Sequence, residues 1–201
     1  MINKNGTNNF GQLKKFCSDN GYELWIDLVY GRYGTDDISV TELLSIIEDP
    51  SFTYIKQNHW EKLQEACDRW HAVHEMLDKE KIDYKHKDYY KRFREWKLLY
   101  SITIVDKEKT FYKEWIRGTI DAITNLWVVD YKTSIRKNEK YKIQIAAYCR
   151  LSWLNNWYIL YMNKKKFEFI EVENLKYYTD IWLELLEYKE TILLFNKNKD
   201  G

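Results

Sequence analysis

GTIDAITNLWVVDYKT, residues 118–133, decides how this chain is read. It begins with the only glycine between Gly34 and Gly201, and it carries Asp121, Asp130 and Lys132 on two short apolar segments. A hairpin centred on Asn125 and Leu126 sets Asp121 opposite Asp130, with Cβ atoms about 4.5–5.5 Å apart on one face. The period of two puts Lys132 on the face of Asp130. Opposed carboxylates destabilise a sheet unless a cation lies between them, and a hard divalent cation takes such oxygen ligands. A lysine beside that cation is repelled by it, so the pattern calls for a further anion. A phosphate group bridging metal and lysine supplies one, which points to metal-assisted phosphodiester hydrolysis. Asp-x-Lys by itself also occurs on solvated strand faces. Gly118 at its offset from Asp121, with the apolar Leu126, Val128 and Val129 burying the hairpin, favours the chemical reading.

Working outward, KYKIQIAAYCRLSWL (140–154) has helical composition, with Gln144 and Tyr148 one turn apart on one face. A glutamine among Ile143, Ile145, Ala146 and Ala147 either meets a polar site or sits at the edge of a half-buried helix. Between strand and helix, KTSIRKNEKYK (132–142) gathers Arg136, Lys137, Lys140 and Lys142 near the proposed metal. This is either a phosphate-tracking patch or an ordinary charged loop.

Upstream, YELWIDLVY (22–30) alternates like a strand and runs into the turn-rich GRYGTDD. SVTELLSIIEDP (39–50) reads as a short helix with Thr41 as N-cap and Pro50 after its stop. One helix is expected from about Tyr54 to Lys79, with Trp60, Leu63, Cys67, Trp70, Val73, His74 and Leu77 at threes and fours. A basic, tyrosine-rich helix follows over 84–97. LLYSITIV (98–105) and TFYKEWIRG (110–118) read as strands joined by the polar DKEK. Downstream, WYILYMN and KFEFIEVE form a hairpin. A C-terminal helix over 174–195 carries Tyr178, Ile181, Leu185, Tyr188, Ile192 and Phe195 on one stripe. These elements imply one α/β domain with a mixed sheet flanked by helices. Its parts are an N-terminal region 1–37, a helical part 38–97, the catalytic sheet and helix 98–173, and the last helix 174–195.

Composition narrows the classes. The 201 residues suit one domain, and the net charge of +1 leaves room only for a local polyanion site. No apolar run reaches the ~20 residues of a membrane helix, and the start, MINKNGTNNF, lacks a signal peptide's apolar region. Cys17, Cys67 and Cys149 are widely spaced and odd in number, which suits reduced thiols in the cytoplasm. No Cys-x-x-Cys pair exists, so neither a structural zinc site nor an iron–sulfur cluster is expected.

Gly118–Asp121, Asp130–Lys132 and Gln144–Tyr148 together read Gly-x-x-Asp, Asp-x-Lys, Gln-x-x-x-Tyr. This set resembles the RecB-like branch of the PD-(D/E)XK nuclease superfamily. ISVTELLSIIEDPSF (38–52) is similar to the Ser-Val-Thr segment of phage-type members and of mitochondrial genome maintenance exonucleases. DRWHAVHEMLD (68–78) is similar to their Arg-Gly-Thr-x-x-His, with Trp70 and His71 standing where those relatives have Gly-Thr and His74 at the ligand position. The likeness covers about residues 38–150. It implies a restriction-endonuclease-like core in which His74, Asp121, Asp130 and the Tyr131 backbone carbonyl hold Mg²⁺ or Mn²⁺. It further implies that Lys132 orients water, that Gln144 braces the lysine or a metal-bound water, and that Tyr148 packs beneath the site or touches the substrate backbone. Glu95 is a further acidic candidate, or a solvated helix-end residue. The activity implied is that of a phage- or bacterial-type exonuclease cutting DNA at ends or in single strands during replication, recombination or repair. A non-catalytic DNA-binding module or accessory subunit of a recombination or defence complex is the alternative.

Overall fold

The computed structural model describes residues 10–24, 38–134 and 137–197, with side chains as far as Thr191. Most of the expected 22–30 strand, the turn after it, Arg136, and the side chains of Ile192 and Phe195 lie outside the described residues. In chain order the elements begin with α1 (Gly11–Asn20), β1 (Glu23–Leu24), β2 (Ile38–Ser39), α2 (Val40–Leu44) and β3 (Ile47–Glu48). Then come α3 (Pro50–Asn58), α4 (Trp60–Lys79), a 3₁₀ turn at Tyr84–His86 and α5 (Lys87–Leu99). The second half holds β4 (Ile104–Lys113), β5 (Ile116–Thr124), β6 (Val128–Lys132), α6 (Lys140–Ser152), β7 (Trp157–Met162), β8 (Phe167–Glu171) and α7 (Leu175–Lys197).

The protein is α/β, with a mixed central sheet flanked by helices. Among the described residues, six strands run in the order β2-β5-β6-β7-β8, and β4 lies along the remaining edge of β5. β2 joins β5 and β6 joins β7 in parallel, and the other pairs are antiparallel. Parallel neighbours need a crossover connection, and α6 provides it between β6 and β7. β1 and β3 form a separate small pair.

Two cores cover the two faces. On one, Leu13 and Phe16 of α1, Leu43 of α2, Ile143 of α6 and Trp182 of α7 pack together. On the other, Val73 and Leu77 of α4 meet Phe93 and Trp96 of α5. β7 divides by its period of two, sending Trp157, Ile159 and Tyr161 to the first core and Leu160 and Met162 to the second. β5 does not keep that period. Ile116 and Ile120 join the first core and Ala122 the second, although all three are even-numbered. The strand therefore turns its faces over at Asp121.

Several boundaries depart from the sequence reading. The helix over 84–97 continues to Leu99, so no strand starts at 98; β4 begins at Ile104 and runs straight through DKEK. The hairpin reverses instead at Glu114, whose φ of +55° supplies the left-handed residue that a tight turn needs. Four expected strands are thus three. Ser39, not Thr41, caps α2: its hydroxyl accepts the Glu42 N–H at 3.1 Å while the Glu42 carboxylate accepts the Ser39 N–H at 2.8 Å, a reciprocal capping box. Pro50 opens α3 behind the Asp49 cap, since proline loses nothing at a first helical position. The long helix expected from Tyr54 is split at His59, which sits at φ −141°. α1 was not anticipated.

Gly118 is required by packing. A Cβ there would stand 2.8 Å from Leu151 Cδ1 and from Tyr148 Cδ1 and Cε1, and two of those atoms belong to a ring with no room to retreat. Gly118→Ala is expected to lower unfolding free energy by about 1–3 kcal/mol, measured as a lower guanidinium midpoint at unchanged slope.

Candidate metal centre

The strand pattern opens a fork. β2 pairs with β5 only at Ile116 and Arg117, and β6 pairs with it only at Ala122 and Ile123, with Ala122 opposite Val129. The expected register holds, but the ladder stops one step short of Asp121 and Asp130. Between these contacts, the β5 edge from Gly118 to Asp121 is left to side chains. The Asp121 carboxylate enters the gap and accepts the Tyr131 N–H at 2.5 Å. A strand residue points its N–H and C=O to the same edge, so the Tyr131 carbonyl faces the fork too.

His74, on α4, reaches the same place. It is 8% exposed, and its Nδ1 lies 3.7 Å from Asp121 Oδ1 and 3.8 Å from Glu108 Oε1. Ligand atoms of His74, Glu108 and Asp121 all fall within 4.8 Å of one another. Glu108 projects from β4, where it has φ +47°, a conformation that costs a non-glycine residue free energy and clusters at functional sites. It stands level with Asp121, between the pairs Lys107–Ala122 and Lys109–Ile120. The DKEK segment read as a turn hid it. The Trp70 ring lies 4.4 Å from that of His74 and covers one side of the imidazole.

Asp130, 2% exposed, faces Lys132. Its Oδ2 forms an ion pair with Lys132 Nζ at 2.8 Å. Lys132 Nζ donates to Gln144 Oε1 at 3.0 Å, and Gln144 Nε2 donates to the Tyr148 hydroxyl at 2.8 Å. Tyr148 is in turn hydrogen-bonded to Thr41. Asp130, Lys132 and the helix pair are therefore one connected chain, from β6 to α2, and Asp121 joins it through the shared cavity.

Charge explains the protonation pattern. Burial, then Asp130, pushes the Asp121 carboxyl up to about 7 against the pull of His74 and Lys132. For His74, burial would lower the pKa, but Asp121, Glu108 and Asp130 outweigh it and raise it. Lys132 behaves alike: burial opposes its charge, and Asp130 and Asp121 more than restore it. Burial raises Tyr148 far above the usual phenol range. A carboxyl pushed up by burial and by a neighbouring carboxylate, with an imidazole between two acids, makes a donor set that could hold a divalent cation. One cavity of about 290 Å³ contains His74, Glu108, Asp121, Asp130 and Lys132. Arg117 also borders it, unanticipated by the sequence.

The basic loop is arranged differently. Lys137 pairs with Glu168 at 3.2 Å and Lys142 with Glu139 at 2.9 Å. Lys140 donates to the Ile47 carbonyl, and Arg136 lies outside the described residues. The described lysines of the loop are thus engaged within the protein rather than forming a free row. Glu95 pairs with Arg92 on α5 and is absent from the cavity wall.

No family model matches this chain, and no curated protein matches it. A solved structure titled "Crystal structure of SSO0001" is similar over 91% of this chain and 87% of its own, at 12% identity and a TM-score of 0.42. Neither a family nor an activity follows from that likeness. No helix among the described residues is long and apolar enough to cross a membrane.

Two outcomes are expected of the metal-free and metal-loaded protein. Folding favours the protonated Asp121 carboxyl and the charged His74, so each contribution is present at low pH and lost as pH rises. Stability without metal should fall as pH climbs from about 4 through about 7, and Asp121→Asn should flatten that fall. Mn²⁺ at about a hundred times its Kd should stabilise the wild type by about 2.7 kcal/mol and leave Asp121→Asn nearly unmoved, both read by thermal melts.

Proposed function

We propose that this chain is a metal-dependent nuclease of the PD-(D/E)XK kind, hydrolysing DNA phosphodiester bonds at ends or in single strands. One observation carries the reading: three carboxylates from three strands, a buried imidazole and a charged lysine converge on a single cavity. A structural ion pair would need one acid for Lys132; here Asp121, Glu108 and His74 are brought there as well.

Asp121, Asp130, His74, Glu108 and the Tyr131 carbonyl would hold Mg²⁺ or Mn²⁺, with the nitrogen donor tilting preference toward Mn²⁺. Such a cation supplies Lewis-acid polarisation of a phosphoryl oxygen and a water nucleophile at neutral pH. The chain's own residues do the rest. The Lys132 ammonium, kept charged by Asp130 and Asp121, offsets negative charge that grows on phosphoryl oxygens in the transition state. Gln144 fixes where that ammonium sits. Tyr148 stays neutral and anchors Gln144. Arg117, on the cavity rim, offers a further cation to the phosphate backbone.

The test uses linear and circular DNA, single- and double-stranded, with Mg²⁺, Mn²⁺ or EDTA. Cleavage is expected with either metal and absent in EDTA. Asp121→Ala and Lys132→Ala should each lower the rate by roughly 10²-fold or more. Undiminished cleavage in either variant would sink the assignment. DNA binding without cleavage on any substrate would replace it with a binding module. Circular substrates separate endonuclease from exonuclease action.

A further inference from the structure

A second cavity opens beside the metal centre. It holds about 450 Å³ between the end of α2, the start of α3 and the first turns of α6, and it shares Thr41 and Gln144 with the first cavity. Its walls differ in kind. Phe52 presents a ring that stays 45% exposed, and Tyr141 of α6 lines the same cavity. The Tyr141 ring is also the surface on which Lys132 rests, with Nζ 4.4 Å from its centroid. The ring that carries the cation meant for a phosphate thus also lines the second cavity. Glu48 and Asp49 place negative charge on this wall, and the ammonium of Lys140 is already donated to the Ile47 carbonyl. Such a lining repels a phosphate and suits a flat, uncharged ring.

We propose that this cavity receives the unpaired base of the nucleotide next to the bond being cut, stacked by Phe52 and Tyr141. The inference rests on the nuclease reading of the neighbouring cavity for its substrate class, and it narrows that class to single-stranded nucleic acid. The volume lies within the usual range for a small-molecule pocket, about 300–1,000 Å³, and admits a base with its sugar but no duplex. A base inside a duplex must be unpaired and unstacked before it can enter, whereas a single strand offers it freely. Every base has a face to stack, so this recognition tolerates any sequence. Gln144 ties the two cavities together, because it lines both while holding Lys132.

The probes are an oligothymidylate and strands of the same length with one abasic residue stepped along them. They are cut in Mn²⁺ by the wild type, Phe52→Ala and Phe52→Tyr. Phe52 is exposed enough that its variants should melt with the wild type, which the same samples confirm. Phe52→Ala should raise KM about tenfold with a much smaller change in kcat, and Phe52→Tyr should restore it. The wild type should lose the same factor on the strand whose abasic residue flanks the cut, and Phe52→Ala should lose nothing further there. A wild-type KM in Phe52→Ala, or losses that multiply between variant and abasic strand, would overturn the proposal. If nothing is cut, fluorescence anisotropy of the same strands separates the two claims. Binding that weakens in Phe52→Ala upholds the cavity while the nuclease reading falls; binding that ignores Phe52 overturns the cavity as well.

Discussion

A single hydrogen bond from the Tyr131 N–H to the Asp121 carboxylate holds the centre of this molecule open. In a continuous ladder β5 and β6 would pair past Ala122 and Val129, and the two acids would merely face each other across a closed sheet. Here the side chain of Asp121 takes the place of the missing backbone partner, so β6 can leave without stranding a buried N–H. The opening admits α4 with His74 from one face, and α6 with Gln144 and Tyr148 from the other. Gly118 makes the second approach possible, since any Cβ would meet Tyr148 and Leu151. Remove the fork and these groups have no common space.

The electrostatics follow from that geometry. Asp121 is buried near Asp130, and its carboxyl is pushed up to about 7; the same pair keeps Lys132 charged despite burial. Glu108 adds a third acid from a left-handed position in mid-strand, opposite the point where β5 exchanges its faces. An apolar sheet of this length has no structural use for such a cluster. A divalent cation would relieve the repulsion among the acids and leave Lys132 for a further anion, which supports reading the site as a metal centre rather than as a salt-bridge network.

The sequence pattern made most of this legible. The hairpin register, the helix over 140–152 and the strand pair after it are carried by local periodicity, and Asp121, Asp130, Lys132, Gln144 and Tyr148 share one connected cluster as their spacing suggested. What escaped has physical causes. Glu108 lay in a run of four charged residues that looked like a turn, and only its pairing along β5 shows that the run is strand. Ser39 displaced Thr41 as the cap because Glu42 completes the reciprocal bond, which frees Thr41 to meet Tyr148. The lysines of 137–142 looked like a phosphate path, but long-range partners, Glu168 and the Ile47 carbonyl, claim two of them. Pairings of that kind leave no periodic trace in a sequence.

His74 is the residue on which the metal assignment turns, because it is the one nitrogen donor among oxygens and comes from an element remote from the hairpin. Pulsed electron paramagnetic resonance of the Mn²⁺-loaded protein reads its role directly. A nitrogen hyperfine coupling to the bound Mn²⁺ in the wild type, lost in His74→Ala, is the expected result. Bound Mn²⁺ with no nitrogen coupling in the wild type, or a coupling that survives in His74→Ala, would contradict it.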